Sequence, residues 1–271
     1  MNSTDFFDAH CHWHAAAGGG TGFLGCGEGL GGMICCGTSP DDWVSLHRAA
    51  TGVPGVIPAY GLHPWFVPGE EGVEAEALDT LAALLAADPQ AAVGEIGLDF
   101  ARRDGASAAR QQALLEAQLR LAQWLGRVAI IHCVRAWGAL VDTLAAVGPL
   151  PRGLVLHAYG GSAEMVVPLA RLGAFFSFKA GGDTPSPKTA ARMQAVPPER
   201  LLLESDLYLA KDGADAAVQQ HRLERVAVQL AAATGMTTLQ AATLTTANAR
   251  RCFGEPQFPP GLAPGFSRTG A

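Results

Sequence analysis

Short continuous apolar runs recur along the chain, separated by longer segments whose apolar residues fall three and four apart. The runs cover residues 6–12, 32–37, 56–62, 91–98, 128–134, 153–157, 174–178 and 201–204. Their length and their lack of alternation predict strands buried on both faces. The segments at 41–50, 75–87, 107–125, 136–147, 163–172 and 214–233 have the spacing of amphipathic helices. Strands and helices in alternation build a parallel sheet covered by helices, and eight such strands predict a closed (β/α)8 barrel. An open, doubly wound sheet is the competing architecture. Its first strand would lead into a Gly-x-Gly-x-x-Gly turn, whereas here the chain reads Asp8-Ala9-His10-Cys11-His12.

The polar residues that end the runs carry the chemistry. Side chains alternate across a strand, so His10 and His12 share a side and can hold one metal ion together. A lone histidine there would be an ordinary core residue, but Glu95, His132, His157 and Asp206 interrupt or follow later runs. Functional groups of a barrel gather at the C-terminal ends of its strands. Four histidines and two carboxylates suffice for two divalent ions, with one carboxylate bridging them.

Composition sets the frame. A chain of 271 residues with 49% hydrophobic content can bury one large core, and a single barrel domain is expected over residues 1–253. The Pro- and Gly-rich stretch 254–271 reads as a mobile tail, and the glycine-rich segments 18–22 and 25–32 as a loop beside the site. The net charge of −6 argues against coating nucleic acid by broad phosphate neutralisation, though not against touching a few phosphates. The six cysteines include no Cys-x-x-Cys pair, so neither a zinc finger nor a disulfide framework is expected. Cys11, Cys35, Cys36 and Cys133 read as packing residues. No basic segment followed by an apolar run opens the chain and no apolar stretch is long enough to span a bilayer, so a soluble, cytoplasmic protein with no obligate protein partner is expected.

Seven segments, in order from the first strand to the last helix, then align with one family: Asp8-Ala9-His10-Cys11-His12, Gly61-Leu62-His63-Pro64, Gly94-Glu95-Ile96-Gly97-Leu98-Asp99, Ile131-His132, Gly153-Leu154-Val155-Leu156-His157, Leu202-Leu203-Glu204-Ser205-Asp206 and Asn248-Ala249-Arg250. The chain resembles the TatD family of metal-dependent deoxyribonucleases within the amidohydrolase superfamily. The resemblance implies a (β/α)8 barrel with one or two divalent ions; His-rich ligands suit zinc, manganese or nickel, and magnesium is also compatible with the family. It places His10, His12, Glu95, His132, His157 and Asp206 on the family's ligand positions. The chain departs from the family pattern at Ala158-Tyr159-Gly160-Gly161, at Arg135, which stands three rather than two residues beyond His132, and at Leu207-Tyr208-Leu209, which lacks a common proline. These positions border the substrate rather than the metal.

The expected reaction is phosphodiester hydrolysis by a metal-activated water, with Glu95 bridging or orienting the ions and Asp206 both ligand and proton acceptor. Arg135, His63 and Lys179 are the expected substrate contacts, each with an ordinary alternative as a surface or loop residue. Glu204 and Asp99 read as partners that orient ligands, and Arg102-Arg103 as a solvated loop or a backbone contact. Trp13, Trp65 and Trp137 stand beside the ligands, either to stack on bases or as ordinary walls of the mouth. The expected substrate is DNA, as a single strand or a strand end. Two other readings stay open: a metal hydrolase of another ester or amide, such as an aminoacyl-tRNA deacylase, and a binding protein that has lost its chemistry.

Overall fold

The computed structural model describes residues 5–13, 29–67, 71–102, 105–208 and 216–255. Arg103, Leu209, the glycine-rich segment 18–22, residues 25–28 of the second such segment and the tail from residue 256 on lie outside the described residues. The strands β1 (Phe6–Cys11), β2 (Leu30–Cys36), β3 (Val56–Tyr60), β4 (Ala92–Asp99), β5 (Ala129–Val134), β6 (Leu154–Leu156), β7 (Ala174–Phe178) and β8 (Leu201–Leu203) form one parallel sheet in chain order. The sheet closes just past β8. There the His12 N–H donates to the Leu207 carbonyl at 2.8 Å and the Asp206 N–H to the His10 carbonyl at 3.0 Å.

Helices α1 (Pro40–Gly52), α2 (Glu71–Ala87), α3 (Ala108–Leu125), α4 (Trp137–Val147), α5 (Val166–Arg171) and α6 (Pro187–Ala195) alternate with strands β2 to β8, and α7 (Ala216–Thr234) and α8 (Thr238–Phe253) complete the ring. Helices α6 and α8 lie outside the segments expected from apolar spacing. Helix α6 buries only Met193, and its start is set by Ser186, whose hydroxyl accepts the Thr189 N–H, with Pro187 in the first turn. Helix α8 opens with a capping box of Thr237 and Gln240 and buries Ala241, Thr245, Asn248 and Cys252, a face too small and polar to register as hydrophobic. No helix among the described residues is long and apolar enough to cross a membrane.

Alternate strand residues fill the barrel: Phe7, Ile34, Ile57, Ala92, Ile130, Val155, Phe175 and Leu202. Phe253 from α8 stacks on Phe7, centroids 6.0 Å apart and planes 4° apart, and belongs to the same apolar cluster. The opposite set, such as Met33, Tyr60, Val93, Ile96, Ile131 and Leu203, packs under the helices. Burying each large apolar side chain stabilises the fold by roughly 1.5–3 kcal/mol, so this core carries the barrel.

Two irregularities in the sheet decide where the site residues point. β1 advances from Asp8 to Cys11 while β2 advances only from Met33 to Cys35, and β4 advances from Val93 to Ile96 against Ala129 to Ile131 in β5. One extra residue in each strand reverses the alternation beyond it. Phe7, Ala9 and Ala92 belong to the interior, so an unbroken alternation would turn His10, His12 and Glu95 toward the helices. The extra residues turn all three inward.

Asp8, left facing the helices, ties the closure together. Its Oδ1 accepts the Ser205 N–H at 2.9 Å, and its Oδ2 accepts the Ser205 hydroxyl at 2.5 Å and the Gln219 amide of α7 at 2.7 Å. Burial pushes its carboxyl up to about 7 in spite of these donors. Replacing it strands several buried donors at once. Asp8→Ala is expected to lower the free energy of unfolding by about 3 kcal/mol in urea titrations. A loss below about 0.5 kcal/mol, the scale of a neutral surface change, would show that closure does not depend on this carboxylate.

Candidate metal centre

The inward-facing polar residues at the C-terminal strand ends converge on Glu95, which is fully buried on β4. Its two oxygens serve different neighbours. Oε2 lies 3.3 Å from His10 Nε2 and 3.4 Å from His12 Nε2. Oε1 lies 2.9 Å from His157 Nε2, 3.0 Å from His132 Nδ1 and 3.3 Å from His63 Nε2. Asp206 joins the first group, with Oδ1 3.8 Å from His10 Nε2 and 4.0 Å from His12 Nε2. The backbone is drawn in to match. At Gly97, φ is +147°, and a Cβ there would stand 1.9 Å from the His132 carbonyl oxygen, so only glycine lets β4 and β5 approach this closely.

The donor set fits divalent cations. The His10 and His12 Nε2 atoms are 3.1 Å apart, and His132 Nδ1 is 3.2 Å from His157 Nε2, so nitrogens and carboxylate oxygens face common points rather than solvent. Three overlapping sets, His10/His12/Glu95, His10/His157/Asp206 and His63/Glu95/His132, each hold their donor atoms within 4.8 Å. A second layer fixes the rings. His12 Nδ1 lies 2.8 Å from the Cys36 carbonyl, which can only accept, so the ring in its neutral form presents a lone pair at Nε2. His132 Nε2 lies 3.3 Å from Asp99 Oδ2, and His157 Nδ1 lies 3.4 Å from Glu204 Oε1. Glu204 is held in turn by the Ser177 hydroxyl on β7. Asp99 and Glu204 thus stand behind His132 and His157.

Charge follows from burial. Burial holds the His10 and His63 imidazoles below the usual histidine range, with neighbouring histidines adding to the effect. Burial would raise Glu95, but the histidines around it, His157 foremost, hold its carboxyl well below the usual carboxylate range. Burial likewise opposes ionisation of Asp206, which His10, His157 and Lys179 overcome, and its carboxyl lies low. His157 is the exception among the imidazoles. Burial would lower it, yet Glu95 on one side and Glu204 on the other carry it well above the usual range. A field that holds a proton there also favours a metal cation in its place.

His63 differs from the other four histidines. Its Nδ1 accepts the Trp65 N–H at 3.1 Å, so the neutral ring carries its proton on Nε2 and points a donor, not a lone pair, at Glu95. Lys179 is exposed and ion-paired with Asp206 Oδ2, which puts it in the site. Arg135 is exposed beyond β5, with φ +53°. Ala158 and Asp206 share this left-handed backbone, at φ +44° and +45°. All three lie within three residues of the C-terminal end of a strand, β5, β6 or β8, at the mouth of the barrel, where such strain concentrates.

Cys36 corrects an expectation. It is not packing alone: its thiol sits 3.3 Å from His10 Nδ1 and its carbonyl holds His12. The signal was present, since Cys36 shares the inward parity of Ile34 on β2. Cys11 behaves as expected, with its thiol against Met33 and the Ile34 carbonyl. Of the three tryptophans, Trp13 is buried and Trp137 packs on Tyr159 at 5.1 Å, whereas Trp65 stays exposed with Arg102 5.3 Å above its ring.

The His157 environment predicts a pH effect. With no metal bound, its raised pKa means that its proton stabilises the fold at low pH and that this contribution is lost as pH rises through the folded pKa. Metal competes with the same proton, so metal affinity is expected to rise with pH across that range. Glu204→Gln removes one charge that holds the proton, and the rise should move to lower pH, as read by calorimetric metal titrations at several pH values. A rise that stays in place would exclude His157 as the titrating ligand.

A family model described as TatD related DNase matches residues 7–254. The chain is 34% identical over 182 residues to the 3′-5′ ssDNA/RNA exonuclease TatD of Edwardsiella piscicida, covering 66% of this chain and 68% of that one. It is 30% identical over 208 residues to the uncharacterized metal-dependent hydrolase YjjV of Escherichia coli K12, covering 74% and 78%. The crystal structure of YjjV superposes with a TM-score of 0.76 at 26% identity, covering 92% of this chain and 97% of that one.

Proposed function

Because the chain belongs to the TatD-related DNase family, we propose that it is a metal-dependent phosphodiesterase that acts on single-stranded nucleic acid from a strand end. The observation that carries this reading is the division of Glu95, one buried carboxylate whose oxygens face two separate sets of donors. We assign His10, His12 and Asp206 with Glu95 Oε2 to one divalent ion, and His132 and His157 with Glu95 Oε1 to a second. Mixed imidazole and carboxylate donors suit zinc, manganese or nickel, and the carboxylates also admit magnesium. When bound, such ions polarise a phosphodiester and acidify a water at neutral pH.

The chain's own residues supply the rest. Asp206 keeps one oxygen toward the His10 and His12 nitrogens and the other on Lys179, and it is held ionised, as a proton acceptor for the attacking water requires. Lys179 orients that carboxylate and brings the nearest ammonium to a bound phosphate. His63 offers its Nε2–H to a substrate oxygen from the opposite side of Glu95. Arg135 has no ion pair among the described residues, and its forked donors suit a phosphate oxygen at the rim. A net charge of −6 restricts attraction to these few groups, which favours a strand terminus in the concave mouth over a long duplex. The Edwardsiella relative is named for this class of substrate, single-stranded DNA and RNA removed from the 3′ end.

With magnesium or manganese added, the purified protein is expected to shorten single-stranded oligonucleotides, and EDTA to stop it. Asp206→Asn should keep the fold by circular dichroism and cut turnover by roughly 10². Hydrolysis of an acyl ester or aminoacyl-tRNA, with no action on DNA or RNA under any of these metals, would overturn the nuclease reading.

A further inference from the structure

We infer that Trp65 and Phe66 form a stacking platform for an unpaired nucleobase of the substrate strand, an inference that rests on the nucleic-acid reading above and deepens it. The two residues occupy the short 3₁₀ turn Pro64–Phe66 that follows His63 directly. Both are large and adjacent, and both are left in water, at 47% and 45% exposure. Trp124 is also exposed, but alone on the outer face of α3, where a single apolar residue needs no explanation. Two neighbouring aromatic rings at the rim of a polar centre do.

The platform is anchored to the site. The Trp65 indole N–H donates to Asp99 Oδ2 at 2.7 Å, the same oxygen that stands 3.3 Å from His132 Nε2. The indole also meets the His63 ring edge-on at 5.0 Å, and Phe66 lies 6.2 Å from the same ring. A ring held by hydrogen bond and packing loses little freedom when a flat ligand lands on it. Arg102, exposed and 5.3 Å from the Trp65 centroid, adds a positive charge at the edge of an otherwise acidic protein. Exposed aromatic rings beside an arginine are the composition of single-strand binding surfaces, where each base offers a π-face and phosphates follow the charge.

The occupant is a base, not a bare phosphate or a protein. The exposed surface is aromatic, it adjoins donors suited to phosphodiester chemistry, and it is too small for a stable protein interface. A paired base is already stacked on both faces, so the platform selects unpaired ends.

The test measures binding and turnover separately. Binding is read by fluorescence anisotropy with a labelled oligothymidine whose 3′-terminal linkages are phosphorothioates, and with the same strand made abasic at its last three nucleotides. Phe66→Ala, which touches no hydrogen bond of the centre, should weaken binding of the base-bearing strand about tenfold and leave the abasic strand unchanged. Phe66→Trp should retain wild-type binding. In turnover of ordinary single strands, the Phe66→Ala loss should fall on KM and spare kcat. Equal affinity of wild type and Phe66→Ala for the base-bearing strand, or an equal loss on both strands, would overturn the platform. Absence of turnover in the wild type would instead count against the nuclease reading, since the anisotropy comparison stands without it.

Discussion

Burying a carboxylate in a protein interior costs several kcal/mol unless opposite charge meets it, and Glu95 is fully buried beneath the barrel mouth. The rest of the site follows from that constraint. Imidazoles surround the carboxylate, and their own burial keeps His10 and His63 from carrying the compensating charge. Behind them stand further carboxyl groups, Asp99 on His132 and Glu204 on His157. With Asp206 added, the centre sets four carboxyl groups against Lys179 and the proton held on His157. Such a cluster is most stable with cations between its members, and for this reason the same geometry that strains the metal-free protein is suited to binding divalent ions.

The sheet supplies the geometry through two added residues. In β1 and β4 the alternation slips by one, and the slip converts outward-facing positions into inward-facing ones. The apolar interior below keeps its own parity from Phe7 and Ala92. Core and site therefore make separate demands on the same strands, reconciled within three residues. The cost of irregular backbone is offset nearby, by Asp8 gathering the donors of Ser205 and Gln219 where β1 meets the end of β8.

This explains which parts were legible in the sequence. Eight continuous apolar runs gave eight strands within a residue or two of their observed ends, because strands buried on both faces leave no other pattern. The site residues were legible because polar side chains at the ends of such runs have few structural reasons to be there. The direction in which they point was not. Counting by twos from Phe7 sends His10 and His12 to the wrong face, and only the pairing with β2 reveals the extra residue. Hydrophobic spacing does not show helices α6 and α8, because their stops and starts lie in caps and small buried residues. For Cys36 the only signal is its inward parity with Ile34, since a buried thiol otherwise looks the same from the sequence whether it faces a leucine or a histidine.

His63 shows how a neighbour's backbone can divide apparently equal residues. By distance alone it belongs with His132 and His157 around Glu95 Oε1. The N–H of Trp65 occupies its Nδ1, and that single bond fixes a proton on Nε2. The turn that places the exposed Trp65 ring thus also makes His63 a donor rather than a ligand. Pro64 presets the backbone for that turn, so one short segment, His63 to Phe66, sets both the proton at the centre and the aromatic surface at its rim. The position of the Trp65 backbone and the tautomer of His63 are therefore fixed by one hydrogen bond, made locally within the turn rather than across the barrel.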